Sequence, residues 1–331
     1  MVELAKRLPL SQRRLPASPV LLFLAAASIF IVIGCLKSTL FAQLTVAGVA
    51  TGVVYGSLAL ALVLIYRATE VINFAQGEMA MACVYIAYQL MLWGLSYWLA
   101  FFLTLGIAFV LGVVTHQVVI RPVQHRSVIA VVIVTVGLFI LIDGLVEWKW
   151  SANQRFMQAP FGNKIYHLGS VPIARQDVGT IVITLVSMFA LWAFFRFTKI
   201  GLGMRAAALR PAAARLVGVR INALLAVGWG LAALLGAVAG LMTEPSQYVL
   251  QPTLMQPVLL YAFAAAVLGG LESPAGAVVG GVALGIFLNL VGQYWHFVNS
   301  VLQLPVAFAA LLIILVIKPT GLFGHRGVRK V

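Results

Sequence analysis

The sequence predicts an all-α protein, a polytopic transmembrane helical bundle, and three observations carry that reading. Of 331 residues, 63% are hydrophobic and 9% are charged, whereas a soluble domain carries roughly 25% charged residues. The mean hydropathy is +1.06. Apolar runs recur from near residue 19 to residue 317, many of them close to the length of about 20 residues that a spanning helix needs. No segment is long and polar enough to make a soluble domain. A net charge of +14 would suggest nucleic acid in a soluble protein. Here the charges sit at the ends of apolar runs, where they orient the chain in a bilayer.

The runs place spans near 19–36, 44–66, 73–93, 97–119, 128–148, 178–197, 221–243, 256–271, 275–293 and 301–317, about ten in all. With the N-terminus in the cytoplasm, 17 of the 22 lysines and arginines fall on the cytoplasmic side. Only Lys37, Lys149, Arg155, Lys164 and Arg175 fall outside. That asymmetry predicts N-in, C-in, and an error of one span would scramble it. Residues 1–45 form a basic segment plus an extra helix, 46–324 the transmembrane domain, and 325–331 a basic tail. The apolar stretch Val20 to Leu36 runs straight into Lys37 without a clear cleavage pattern, so it reads as a retained helix rather than a signal peptide. The long outside loop, Lys149 to Asp177, carries Pro160, Gly162, Gly169 and Pro172 and reads as a solvated connection. Cys35 and Cys83 lie in apolar runs and are expected as buried free thiols.

Small residues mark packing faces. Gly48, Gly52 and Gly56 recur every four residues, and the spacing returns in Gly236 and Gly240, Gly276 and Gly280, and Gly281 and Gly285. Residues four apart share a helix face, so neighbouring backbones can approach closely. Packing within the chain is the expected use.

Two polar breaks interrupt the apolar pattern. The first is Ile72-Asn73-Phe74-Ala75-Gln76-Gly77-Glu78. Met79 to Trp93 alone is too short to span, and starting at Asn73 restores the length. Asn73 and Gln76 then fit an N-cap and a side chain reaching back to it, with Glu78 in the first turn. A carboxylate at bilayer depth costs up to ~3 kcal/mol and needs a reason. A capped helix start and a role in transport both fit. The second break is Gly269-Gly270-Leu271-Glu272-Ser273-Pro274. Ser273 suits a cap and Pro274 a first helical turn. Two interrupted segments in separate halves point to a transporter site built from broken helices, and a tight cytoplasmic hairpin also fits. The basic segment Lys199 to Arg220 holds Pro211 and Gly218 as start and stop for a short helix, Ala212 to Val217. It reads as a surface for docking a soluble partner, ahead of a plain basic loop.

The first break resembles the Asn-Phe-Ala-His-Gly-Glu signature of the branched-chain amino-acid ABC transporter permeases of the LivH type. Further likenesses follow in the family's order: Arg121-Pro122-Val123, then Gly203-Met204-Arg205-Ala206 through Leu216-Val217-Gly218-Val219, then Ala264 to Gly270 with Ser273-Pro274-Ala275-Gly276-Ala277 and Gly280-Gly281, then Lys318-Pro319-Thr320-Gly321-Leu322-Phe323-Gly324. The resemblance implies an importer subunit of the inner membrane, working by ATP-driven alternating access. Its implied partners are a second, LivM-type permease, two cytoplasmic ATPase subunits and an external solute-binding protein. It implies a solute path near Asn73, Gln76, Gly77, Glu78, Gly269, Gly270, Glu272 and Ser273. It implies ATPase coupling through Arg205, Arg210, Ala212, Ala213, Arg215, Leu216 and Gly218. Gln76 stands where the family carries His, so no titrating imidazole is available there. Leu209-Arg210-Pro211 stands where acidic residues are usual. Relatives that carry urea, amides or other small carboxylates share these motifs.

Absences narrow the chemistry. There is no Gly-Lys dipeptide and hence no Walker A loop, so ATP and Mg belong to partner subunits and the chain itself binds no cofactor. The five histidines are isolated, without metal-ligand spacing, and Gly-x-Ser-x-Gly does not occur. Asp143 and Glu147, four apart on one face beside Trp148 and Trp150, read as a polar helix end. A transport subunit rather than an enzyme is expected, with a stand-alone channel or carrier as the competing class.

Overall fold

A computed structural model describes residues 28–323, apart from 30, 125, 163, 210–213, 215–217, 219, 248, 296–297, 299–300 and 320. The retained helix expected over 19–36 therefore lies largely outside the described residues, as does the tail. A helical stretch at 31–37 leads into α1 (Thr39–Thr69), whose first turn is capped by Ser38 Oγ accepting the Phe41 N–H at 3.3 Å. Then come α2 (Gln76–Leu92), α3 (Tyr97–Val114, prolonged by a π-helical turn Thr115–Ile120) and α4 (Val128–Trp150). A two-stranded antiparallel hairpin follows, β1 (Ile165–Leu168) and β2 (Val171–Ala174). The remaining helices are α5 (Arg175–Phe197), α6 (Lys199–Leu209), α7 (Ile221–Gln247), α8 (Met255–Gly269), α9 (Pro274–Tyr294) and α10 (Gln303–Ile317).

Among the described residues, seven helices are long and apolar enough to cross a membrane: α1, α3, α4, α5, α7, α8 with the short 3-10 turn before it, and α9. α2, with 17 residues, and α10, with 15, fall short of that length. Burial sorts the helices into layers. In its most apolar window α1 is 78% buried and α7 67%, against 17% for α4 and 28% for α5. The first pair forms the core, and the second presents apolar side chains such as Ile133, Ile140, Phe189 and Trp192 to lipid.

Glycine makes the core seam. A Cβ on Gly48 would lie 2.7 Å from the Ile286 Cα, and one on Gly52 2.7 Å from the Val282 Cα. In return, a Cβ on Gly281 would reach the Gly56 N at 2.3 Å, and one on Gly285 the Gly52 Cα at 2.4 Å. Gly276 and Gly280 turn to the other side of α9 and meet Gly269 and Ala265 of α8. One helix thus touches two neighbours backbone to backbone. Gly112 of α3 meets Trp229 and Gly230 of α7 in the same manner, and Gly240 of α7 meets Ala80 and Val84 of α2.

The outside loop is not merely a solvated connection. Arg155 and Leu250 exchange backbone hydrogen bonds at 2.9 and 2.8 Å. The Arg155 guanidinium donates to the Trp150 carbonyl and to Tyr88 Oη. The Met157 N–H donates to Glu244 Oε1 at 3.2 Å. Proline and glycine spacing signals turns but carries no trace of these contacts, most of which join residues far apart in sequence. Cys83 is buried and Cys35 half-buried, both free.

Replacing Gly281 by Ala should cost about 1–3 kcal/mol through overpacking, because the obstacle is backbone. Gly144→Ala, with nothing within 4 Å of its Cβ position, should leave stability unchanged or raise it by up to ~1 kcal/mol. Thermal melting in detergent measures both, and equal melting temperatures for the two variants would contradict the seam.

Candidate functional site

The first break, apart from the exposed Phe74, lies inside the protein. α2 starts at Gln76, not at Asn73, and the residue in the capping position is Ala75, which offers no side-chain cap. Asn73 acts one turn earlier. Its Oδ1 accepts the Ala75 N–H at 3.1 Å, and its Nδ2 donates to Gln76 Oε1 at 3.1 Å. The Gln76 N–H donates to the Asn73 carbonyl at 3.3 Å. A 17-residue helix is about 25 Å long, short of a hydrocarbon layer of about 30 Å. The irregular and turn residues from Val71 to Ala75 precede the helix. Irregular backbone is tolerated at that depth only where protein surrounds it, and Val71, Asn73 and Ala75 are buried.

Gln76 holds the break to the core. Its Nε2 donates to the Ala232 carbonyl of α7 at 2.9 Å, so both ends of the amide are used. Gly236 leaves the room: a Cβ there would stand 2.8 Å from Gln76 Nε2. Gly77 lets α2 sit on α8, where an added Cβ would meet the Leu259 Cβ at 3.0 Å and the Met255 carbonyl at 3.3 Å. Glu78, one residue on, is wholly buried and neither carboxylate oxygen meets a donor at full hydrogen-bond geometry.

The second break is a turn joining two complete helices. Gly270 takes φ 100°, a conformation that suits glycine. Ser273 caps α9 by accepting the Gly276 N–H at 3.0 Å, with Pro274 at the first helical position. The chain's later residues seal the turn: the Leu322 and Phe323 N–H groups donate to the Leu268 and Gly269 carbonyls at 2.7 and 3.1 Å. Glu272 is exposed. The two breaks do not come together. Gly77 abuts the start of α8 at Met255 and Leu259, whereas Gly269, Gly270 and Ser273 lie at its far end, about 20 Å away for a helix of that length. The hairpin reading describes this second segment better than an interrupted helix does.

Of the basic segment, Arg205 is exposed on α6, its guanidinium 3.4 Å from the Arg196 carbonyl. Gly218 sits in a turn at φ 81°. Arg210, Ala212, Ala213, Arg215 and Leu216 lie outside the described residues. Beside α6 a cavity of about 310 Å³ opens between the end of α1 (Arg67 to Val71), Gln124, Met204 and the first turn of α7 at Asn222. It joins the surface that carries Arg205 to the residues leading into the first break.

Sequence reading missed three polar residues that share the interior: Gln256, Tyr85 and Glu244. The only signal available was a polar residue within an apolar run, and Gln256 and Glu244 fall close to helix ends where such residues pass unnoticed.

Seven long apolar helices around a buried polar break define a multi-pass membrane permease. The model of the family described as branched-chain amino acid transport system permease component matches residues 44–317, and the chain belongs to that family. It is 29% identical over 304 residues to the high-affinity branched-chain amino acid transport system permease protein LivH of Escherichia coli (strain K12), covering 88% of this chain and 98% of that one. It is 27% identical over 308 residues to the corresponding protein BraD of Pseudomonas aeruginosa, with the same coverage. Among solved structures, PsaBC from Streptococcus pneumoniae in complex with Fab is a distant likeness, at 15% identity and a TM-score of 0.47 over 88% of this chain and 96% of that one. The chain is thus a transport component of the inner membrane and not an enzyme.

Gln76→Leu should cost about 1–3 kcal/mol, since it leaves buried polar partners unsatisfied. Gln76→His should retain most stability, because a neutral imidazole also offers one donor and one acceptor. Melting temperatures of the two variants test this, and a leucine variant as stable as the parent would contradict the bridging role.

Proposed function

We propose that this chain is one of the paired membrane subunits of an ABC importer that moves branched-chain or related amino acids into the cytoplasm by ATP-driven alternating access. The observation that carries this is the family match across residues 44–317. In the proposed assembly the chain pairs with a second, LivM-type permease. Two cytoplasmic ATPases supply the energy from ATP and Mg, and an external solute-binding protein delivers the solute. About ten spans with both termini in the cytoplasm accommodate the helices described, with α2 and its irregular entry counted as one crossing.

The first break flanks the solute path in this reading, through Asn73, Gln76, Gly77 and Glu78. The segment from Arg205 to Gly218, including Arg210, Ala212, Ala213, Arg215 and Leu216, receives the ATPase. The cavity behind α6 supports that reading. Movement of α6 against α7 would alter the space beside Glu70 and Val71, which lead directly into the break.

Reconstituted with its partners, the chain should give uptake that stops without ATP. Flux of the same solute through this chain alone would overturn the importer reading. Arg205→Glu and Arg215→Glu should each reduce the ATPase recovered with the purified permease several-fold. Full recovery with both would remove the coupling assignment.

A further inference from the structure

The interior between α2, α4 and α8 holds more hydrogen-bonding groups than the fold satisfies. Glu78 is 0% exposed, and neither carboxylate oxygen meets a donor at full hydrogen-bond geometry. The Gln256 side chain of α8 approaches it as a hydrogen-bond donor, and Asp143 of α4 lies within electrostatic reach. Asp143 Oδ1 is likewise buried without a donor. Two turns further along α2, Tyr85 is 0% exposed, its hydroxyl has no partner, and it too lies within reach of Asp143. Buried polar groups are normally paired, and a buried carboxylate is costly unless something compensates it. These groups come from three helices and converge on one place, so the shortfall is local.

The column continues outward. The Trp150 ring stacks on Tyr85 at 5.4 Å, and its Nε1 donates to Gln89 Oε1 at 2.9 Å. Arg155 lies over the Tyr88 ring at 5.6 Å. The α2–α4 contact is therefore a polar seam running from the outside loop down to Glu78. α4 is the least buried of the long helices, so little packing opposes its displacement from α2. Acceptors outnumber donors at the bottom of the seam, which selects a cationic donor. A primary ammonium group carries three donors, matching acceptors on Glu78, Asp143 and Gln256.

We propose that Glu78, Asp143 and Gln256 form a transmembrane subsite for the ammonium group of the transported amino acid, with Tyr85 two turns away along α2. This rests on the import reading above, and it adds the chemical group recognised within the membrane. An inorganic monovalent cation could meet the same acceptors, and the experiment separates the two.

The purified assembled complex in nanodiscs, without the solute-binding protein, is titrated with leucine, with 3-methylbutylamine (ammonium but no carboxylate), with 4-methylpentanoate (carboxylate but no ammonium) and with NaCl against choline chloride. Ligand-dependent thermal stabilisation and Trp fluorescence are read. Leucine and the amine should bind and the acid should not. Glu78→Gln and Asp143→Asn should each weaken binding of leucine and the amine at least ten-fold. The melting temperature of each variant without ligand establishes that it is folded, and Asp143, only half-buried, provides the variant less exposed to misfolding. Unchanged binding in both variants, binding of the acid alone, or stabilisation by sodium without any effect of leucine or the amine would overturn the proposal. ATP-dependent uptake is scored separately. ATP-dependent uptake of leucine unaffected by either variant would overturn the subsite and leave the importer reading standing, whereas ammonium binding without any ATP-dependent uptake would do the reverse.

Discussion

The structure depends on direct contact between helix backbones, made possible where glycines face one another. Within a bilayer, lipid tails are as apolar as leucine side chains, so helices gain nothing from hiding apolar surface from one another. Association rests on dispersion and close fit. Gly52 and Gly56 of α1 against Gly281 and Gly285 of α9 supply that fit, and Gly276 and Gly280 extend it to α8. With α1, α8 and α9 locked, the N-terminal end of α8 has a fixed position, and Gly77 can place α2 upon it.

That placement explains the break. α2 is too short to cross on its own, and its entry segment must be irregular, buried and still satisfied. Asn73 serves the local turn and Gln76 serves the distant helix α7, through one amide used at both ends. Glu78 is left over. Its carboxylate is buried, faces Gln256 and Asp143, and meets no donor at full hydrogen-bond geometry.

Much of this was legible in the sequence, and the failures have physical causes. Glycines four apart indicated helix faces, since the helical period alone puts them together, but nothing in the spacing told which helix each face would meet. The first break was visible because polarity inside an apolar run is rare. Its helix boundary was misplaced by three residues because Asn73 caps helices often, and here its side chain instead stabilises the turn before one. The second break looked like its twin in composition. Its meaning rested on Leu322 and Phe323, whose backbone bonds to Leu268 and Gly269 leave no mark in side-chain pattern. Asp143 reads as a helix end in the sequence, since its approach to Glu78 depends on how α4 leans on α2. The short docking helix expected over Ala212 to Val217 lies almost wholly outside the described residues.

The contact between Leu322–Phe323 and the end of α8 also bears on how the chain matures. The α8–α9 hairpin emerges from the ribosome well before the residues that complete its hydrogen bonding. Until the segment after α10 has returned, the Leu268 and Gly269 carbonyls await their partners. The loop closure this requires carries its entropic cost late in synthesis. A chain lacking Leu322 and Phe323 would leave those two carbonyls without these donors, so the segment after α10 completes the α8–α9 turn.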